Sequence, residues 1–243
     1  MRQFGFIVLA SLSWLSTPVR SADPVVADVL LVGGTIHDGT GRQGFAGDVA
    51  IRGDRVVAVG TFETKSAEWR LDCRGLVVMP GAIDLHNHSD RQVVDCRTRA
   101  CVNYLLQGCT TIVTGNCGGG PVDVGDYYQK IDQAGAGANV VHLLPHGALR
   151  RQVVGTERRA ATKAELKEMQ LLAEQAMTDG AWGMSTGLIY VPGTYADTEE
   201  LVSLARVVAR HKGIYASHIR NENVRLLAAV DEAMEIGRCA GLP

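Results

Sequence analysis

Leu76-Val77-Val78-Met79-Pro80-Gly81-Ala82-Ile83-Asp84-Leu85-His86-Asn87-His88 is the stretch on which the fold turns. Its apolar run through Ile83 is strand-like, interrupted at Pro80-Gly81, and it ends in two histidines spaced i and i+2. On a β-strand such positions share a face, so His86 and His88 can both aim at one ion. A histidine pair where a strand gives way to a loop is also where a (β/α)8 barrel places its chemistry. By itself the pair is equally compatible with a solvated loop, and the choice depends on further ligands downstream.

Downstream, strands and helices alternate. Thr98–Gln107 is expected to be helical, and the β-branched Thr110-Thr111-Ile112-Val113-Thr114 forms a strand that runs into Gly115-Asn116-Cys117-Gly118-Gly119-Gly120. Glycines around Cys117 let the backbone approach a ligand closely, and a thiolate there would bind zinc strongly; the alternative is a cysteine in a turn. A strand over Asn139–Leu144 ends in Pro145-His146-Gly147. A helix over Thr162–Thr178 is marked by Leu166, Met169, Leu172, Ala173 and Ala176 at helical spacing and by Thr162 and Glu165 as a capping box. A strand at Trp182–Ser185, a helix at Thr198–Arg210, a strand at Ile214–His218 and a helix at Val224–Ala240 complete about five strand-helix units, the pattern of a parallel sheet with crossovers. His218 closes the fifth strand as His88 closes the first, and strands one and five of an eightfold barrel both reach its mouth. Taken alone, His218 would more often be a hydrogen-bonded core histidine than a ligand.

Between Asp28 and Arg74 the segments Val29–Val32, Asp48–Arg52, Val56–Val59 and Trp69–Cys73 are short and β-like, separated by Gly33-Gly34, Gly39-Thr40-Gly41 and Gly53-Asp54. They predict a small β-domain over residues 23–79, ahead of a barrel portion over 80–243. Residues 1–22 combine a basic start, an apolar stretch from Phe4 to Leu15 and small residues near Ser21, which is the pattern of a secretory signal, with an uncleaved anchor as the alternative. The stretch is too short to span a bilayer, which needs about 20 apolar residues. Export to the periplasm or medium is therefore expected.

Composition narrows the function classes. A hydrophobic content of 46% supports a sizeable core, and 24 basic against 26 acidic residues, a formal charge of −2, give no electrostatic reason to expect nucleic acid or an anionic membrane as partner. A small, uncharged or modestly charged substrate fits better. Export makes disulfides possible, but Cys73, Cys96, Cys101, Cys109, Cys117 and Cys239 form no dense framework. Cys117 aside, most of them are expected to be small buried apolar residues, or to supply one optional disulfide.

The segments Pro80–His88, Thr114–Gly118, Gly183–Tyr190 and Tyr215–Glu222 together resemble the amidohydrolase superfamily, specifically its D-aminoacylase (N-acyl-D-amino-acid deacylase) branch. The resemblance runs from about Ala27 to Pro243, and Gly33–Gly41 is similar to the family's opening β-domain. It implies a truncated (β/α)8 barrel preceded by part of a small β-sandwich. It also implies zinc, one or two ions, with His86, His88, Cys117 and His218 at metal-ligand positions. The histidine pair is common to the superfamily, whereas Cys117 and the Ser217-His218-Ile219-Arg220 segment narrow it. Hydantoinases and dihydroorotases of the same superfamily use a carboxylated lysine on the fourth strand, and Ala181–Leu188 holds no lysine.

The implied activity is hydrolysis of linear amide C–N bonds, in N-acyl-D-amino acids, by a metal-bound hydroxide formed near neutral pH. A carboxylate must then pass the proton to the leaving amine. In the family this is an aspartate at the end of the eighth strand, and a further histidine ligand belongs to the sixth; neither falls within these 243 residues. The chain is accordingly expected to be an N-terminal fragment, inactive alone. The alternatives are a non-catalytic zinc-binding protein of amidohydrolase type and a related hydrolase of another, cyclic, amide. For substrate contacts, His146 sits at a strand end, Tyr190 either lines the pocket or packs, and Arg220 either holds a carboxylate or pairs with Glu222. His37, His142 and His211 have no companions that suggest chemistry.

Overall fold

The computed structural model describes residues 23–243; the signal expected over residues 1–22 lies outside the described residues. The chain divides into two compact units, one ending at Pro80 and the other running Gly81–Pro243.

The first unit is a five-stranded sheet of β1 (Val25–Ile36), β2 (Phe45–Arg52), β3 (Arg55–Gly60), β4 (Thr64–Asp72) and β5 (Val77–Val78). Its order is β3-β2-β1-β4, with β5 also paired to β1. β1 runs antiparallel to β2, with Val29 opposite Ile51, and parallel to β4, with Val29 opposite Trp69. Val25, Ala27, Leu30 and Ala50 form its core. All four expected strands are present and longer than their apolar cores, because strand pairing extends past the residues that carry the alternation.

The second unit begins with β6 (Ala82–Asp84) and contains β7 (Cys109–Thr114), β8 (Asn139–His142), β9 (Leu144–Pro145), β10 (Gly183–Gly187) and β11 (Ile214–His218). All pairings in it are parallel, β6-β7-β8 on one side and β9-β10-β11 on the other. β8 and β9 are one strand bent at Leu143: Leu143 N donates to the Thr114 carbonyl, and Trp182 N donates to the His142 carbonyl. Five consecutive parallel strand positions result, the arrangement of part of a (β/α)8 barrel. The α/β class and the strand-helix count are as the sequence predicts.

The helices are α1 (Val102–Leu105), α2 (Val124–Ala134), α3 (His146–Val153), α4 (Lys163–Thr178), α5 (Thr198–Arg210) and α6 (Leu226–Ala240). Three of the starts have a visible cause. Thr162 and Glu165 form the expected capping box on α4, Asp123 accepts from Asp126 N on α2, and Asp197 accepts from Glu200 N on α5. The main core packs α4, α5 and α6 around β9 and β10 through residues such as Leu144, Met169, Met184, Leu201, Leu204 and Ile236.

Three helix expectations need correction. The helix expected over Thr98–Gln107 shrinks to one turn at 102–105, because Cys101 takes a left-handed conformation at φ 52 that interrupts it after the turn in which Thr98 and Arg99 donate to the Asp95 carbonyl. α2 was not expected; Val124, Tyr127 and Ile131 are its buried face, at the i, i+3, i+7 spacing of an amphipathic helix. α3 was not expected either, so Pro145-His146-Gly147 opens a helix rather than a loop. Among the described residues all six cysteines are free, with Cys73 and Cys101 buried.

Candidate metal centre

β6 stops at Asp84, so His86 and His88 stand on the loop beyond the strand and not on the strand itself. The out-in-out alternation nevertheless continues. Asn87, between them, turns inward, donates to the Val113 carbonyl at 3.0 Å and accepts from Ser89 N, leaving both histidines exposed on the other side. Their rings meet edge to face with centroids 5.4 Å apart.

Cys117 comes from the turn after β7. That turn, Asn116–Gly118, is a single 3-10 turn in which Cys117 itself is left-handed at φ 53, ψ 29. A residue with a β-carbon gives up of order 1–3 kcal/mol in such a conformation and holds it only where its surroundings impose it. Gly118, at φ +69, has no such freedom to spare: a β-carbon there would lie 2.9 Å from Gly187 N and 3.0 Å from Gly147 N. Asn116 is buried, donating to the Val113 carbonyl at 2.8 Å and lying 3.5 Å from the carbonyls of Leu85 and Asn87. One buried amide thus joins the cysteine turn to the histidine loop.

The donor atoms converge. One ligand atom from each of His86, His88 and Cys117 falls within 4.8 Å of the others. Cys117 Sγ is 3.4 Å from His86 Nε2 and 3.5 Å from His218 Nδ1, at the end of β11. Two donors bound to one zinc ion at about 2.3 and 2.0 Å with a tetrahedral angle lie about 3.5 Å apart, so both separations fit a shared ion. Burial, and after it the Glu222 carboxylate, raise the Cys117 thiol above the ordinary cysteine range.

Around this cluster, Glu222 Oε1 lies 3.3 Å from His218 Nε2, and Tyr190 places its hydroxyl 3.4 Å from His218 Nδ1. A cavity of about 350 Å³ opens beside Cys117, walled by Gly118, Gly119, Ala148, Arg151, Tyr190 and Pro192. The metal-cluster residues, Tyr190, Pro192 and Glu222 hang from the C-terminal end of a strand or the loop after it, while Ala148 and Arg151 come from α3.

No protein-family model matches the chain. It is 38% identical over 248 residues to the D-aminoacylase of Alcaligenes xylosoxydans xylosoxydans, across 93% of this chain and 51% of that one. Among solved structures, a D-aminoacylase that defines a subset of the amidohydrolases superposes with a TM-score of 0.85 at 37% identity, covering 89% of this chain and 50% of that chain. The N-acyl-D-glutamate deacylase of Bordetella bronchiseptica, complexed with zinc and a phosphonate inhibitor, superposes with a TM-score of 0.85 at 34% identity, covering 90% and 50%. The chain belongs to the D-aminoacylase branch of the amidohydrolases. It spans about half the length of the curated relatives it matches.

Within this amidohydrolase frame, the three residues expected to contact substrate go to three different places. Tyr190 is half-exposed on the cavity wall. His146 does not open to the cavity: it is buried at the start of α3, with Nε2 2.9 Å from Glu200 Oε1, and Arg150 Nε donates to the same oxygen at 3.1 Å. Arg220 pairs with Glu232 rather than Glu222, through donations of 2.8 and 2.9 Å, and also donates to the carbonyls of Thr194 and Ala196. Glu232 faces it from α6, whereas Glu222 turns to His218. With its donors so occupied, Arg220 braces the loop before α5.

His142, expected to be idle, is a buried prop beneath the cysteine turn. Its Nδ1 lies 2.8 Å from Thr114 Oγ1 and its Nε2 2.9 Å from the Pro121 carbonyl, and burial lowers its pKa. Asp90, two residues after His88, was also missed; its Oδ1 accepts the Gly115 N–H at 2.7 Å. Its place just after the histidine pair was the one signal available.

Proposed function

We propose that this chain carries the metal-binding part of a zinc-dependent hydrolase of linear amides, acting on N-acyl-D-amino acids. The observation that carries the reading is the convergence of His86, His88 and Cys117 within 4.8 Å, with His218 3.5 Å from the thiol. Nitrogen and sulfur donors at these separations suit zinc better than calcium or magnesium, which take oxygen ligands.

His86, His88, Cys117 and His218 would hold the metal, one ion or two with Cys117 as the shared donor. When bound, zinc supplies Lewis acidity toward a carbonyl oxygen and acidifies water near neutral pH. The chain's own groups set the rest. Glu222 lies 3.3 Å from the Nε2 side of His218, the side from which carboxylates orient metal-binding histidines. Tyr190, against the same ring, offers a phenol to a polar substrate group at the cavity wall. The cavity is of a size for a small molecule.

The substrate class rests on relatives that are a D-aminoacylase, an N-acyl-D-aspartate deacylase and an N-acyl-D-glutamate deacylase. The test is turnover by protein expressed from its complete coding sequence, with N-acetyl-D- and N-acetyl-L-amino acids, with zinc and after chelation. Release of acetate from the D substrates, lost on chelation and restored by zinc, is the expected result. Zinc bound tightly with no turnover of any linear amide would overturn it in favour of a zinc-binding protein without catalysis.

Export rests on residues 1–22 alone, and we propose it on that basis. Detection of the mature protein in a periplasmic or medium fraction tests it. Among the described residues no helix is long and apolar enough to cross a membrane.

A further inference from the structure

Ser185, on β10, is buried and has no donor atom in the metal cluster. Its Oγ accepts the Gly118 N–H at 3.0 Å and donates to the Gly115 carbonyl. These two backbone groups bracket the turn that carries Cys117, so one hydroxyl closes the loop from both ends. Gly115 and Gly118 are themselves buried, and without the hydroxyl a backbone donor and a backbone acceptor would each lose a partner away from water.

The turn needs such a tie. Cys117 adopts a left-handed conformation that its own β-carbon disfavours, and glycines on both sides would otherwise let the segment relax. The other tie at Gly115 comes from the opposite direction: Asp90 holds its N–H, while Ser185 holds its carbonyl. Asp90 belongs to the histidine loop and Ser185 to a strand two positions further along the sheet. The peptide units on the two sides of Gly115 are therefore pinned between the two, and Sγ is left beside His86 and His218.

We propose that Ser185 is a positioning residue for the Cys117 thiolate, presetting the turn so that the sulfur faces the histidines before any ion arrives. The proposal rests on the metal-centre reading above and deepens it, assigning to Ser185 a part of the metal affinity that no donor atom of its own supplies. Groups that orient metal ligands in this way typically contribute 10- to 100-fold to metal affinity.

Cobalt(II) is the probe, because a cysteine ligand gives a thiolate-to-cobalt absorption in the near ultraviolet. Wild type, S185A and T162A are titrated with cobalt, then with zinc in competition, each after its far-ultraviolet circular dichroism has been checked. T162A weakens the start of α4, away from the cysteine turn, and controls for lost stability alone. The expected result is a thiolate band in wild type and T162A, with S185A binding at least about tenfold more weakly and with a reduced band. A band and affinity in S185A equal to wild type would overturn the positioning role while leaving the metal reading intact. Absence of the band from wild type would overturn both. Should S185A not fold, hydrogen exchange in metal-free wild type decides: slow exchange at the Gly118 amide supports the clamp, and exchange at the free-peptide rate overturns it.

Discussion

Cys117 Sγ lies 3.4 Å from His86 Nε2, although 31 residues separate them in the chain. Neighbouring parallel strands, β6 and β7, end side by side, and the loops beyond them are stitched together by Asn87 and Asn116, both of which donate to the Val113 carbonyl. The sulfur and the imidazole are thus neighbours because of a backbone carbonyl neither of them touches.

Replacing that sulfur should empty the centre. Cys117→Ala is expected to lower the zinc content of the purified protein, measured by mass spectrometry of the eluted metal, while His86 and His88 remain. Unchanged zinc content would remove Cys117 from the ligand set. Because an alanine also has a β-carbon, the left-handed strain at this position stays and the comparison isolates the thiol.

Glu200 holds a different kind of pair. Its Oε1 receives both His146 and Arg150 in a site where all three side chains are buried. Glu200→Ala strands the Arg150 guanidinium without its carboxylate, and a loss of about 3–5 kcal/mol in unfolding free energy is expected from urea denaturation. A loss below about 1 kcal/mol, the scale of an exposed ion pair, would show that this network does not brace α3 against α5.

At α4 the capping box gives a smaller effect. Thr162 Oγ1 accepts the Glu165 N–H, so Thr162→Ala should cost about 1 kcal/mol. A fall in Tm of roughly 2–4 °C is expected for a chain of this size. No fall would mean that water replaces the cap fully.

Glu165 should confer an acid-sensitive contribution. The Arg159 guanidinium, and after it the Thr162 amide and hydroxyl, hold its carboxyl at about 2, below the ordinary 4.5. A folded-state pKa below the unfolded one means that the stabilisation is complete above about pH 4.5 and is lost as pH falls toward 2. The Tm difference between wild type and Glu165→Gln should therefore be largest near neutral pH and close across that window. A difference that stays constant through it would contradict the assignment.

Much of the fold was legible because its periodicities are local. The β-branched run at 110–114 and the capping box at 162–165 name their own structures, and the strand at Ile214–His218 falls where expected. α2 was legible in principle through Val124, Tyr127 and Ile131, but Gly125 inside its first turn and the glycines before it concealed the start. The expected helix at 98–107 failed for the opposite reason. Its composition suits a helix, yet Cys101 turns left-handed in its middle, and a backbone reversal of that kind is invisible to a periodicity.

At the site, sequence by itself determined the chemistry on offer: two histidines, a cysteine among glycines and a histidine, each following a strand-like run. These are covalent facts, and the strand order that brings them to one end follows from alternating β and α segments with short connections. Tertiary structure alone decided who meets whom. It took His86 and His88 off the strand, gave Arg220 to Glu232 rather than Glu222, buried His146 against Glu200 and set Ser185 and Asp90 on the cysteine turn. The reason is that these pairings are settled by hydrogen bonds of a few ångströms between segments tens of residues apart, where several partners of the right type compete and only packing selects among them.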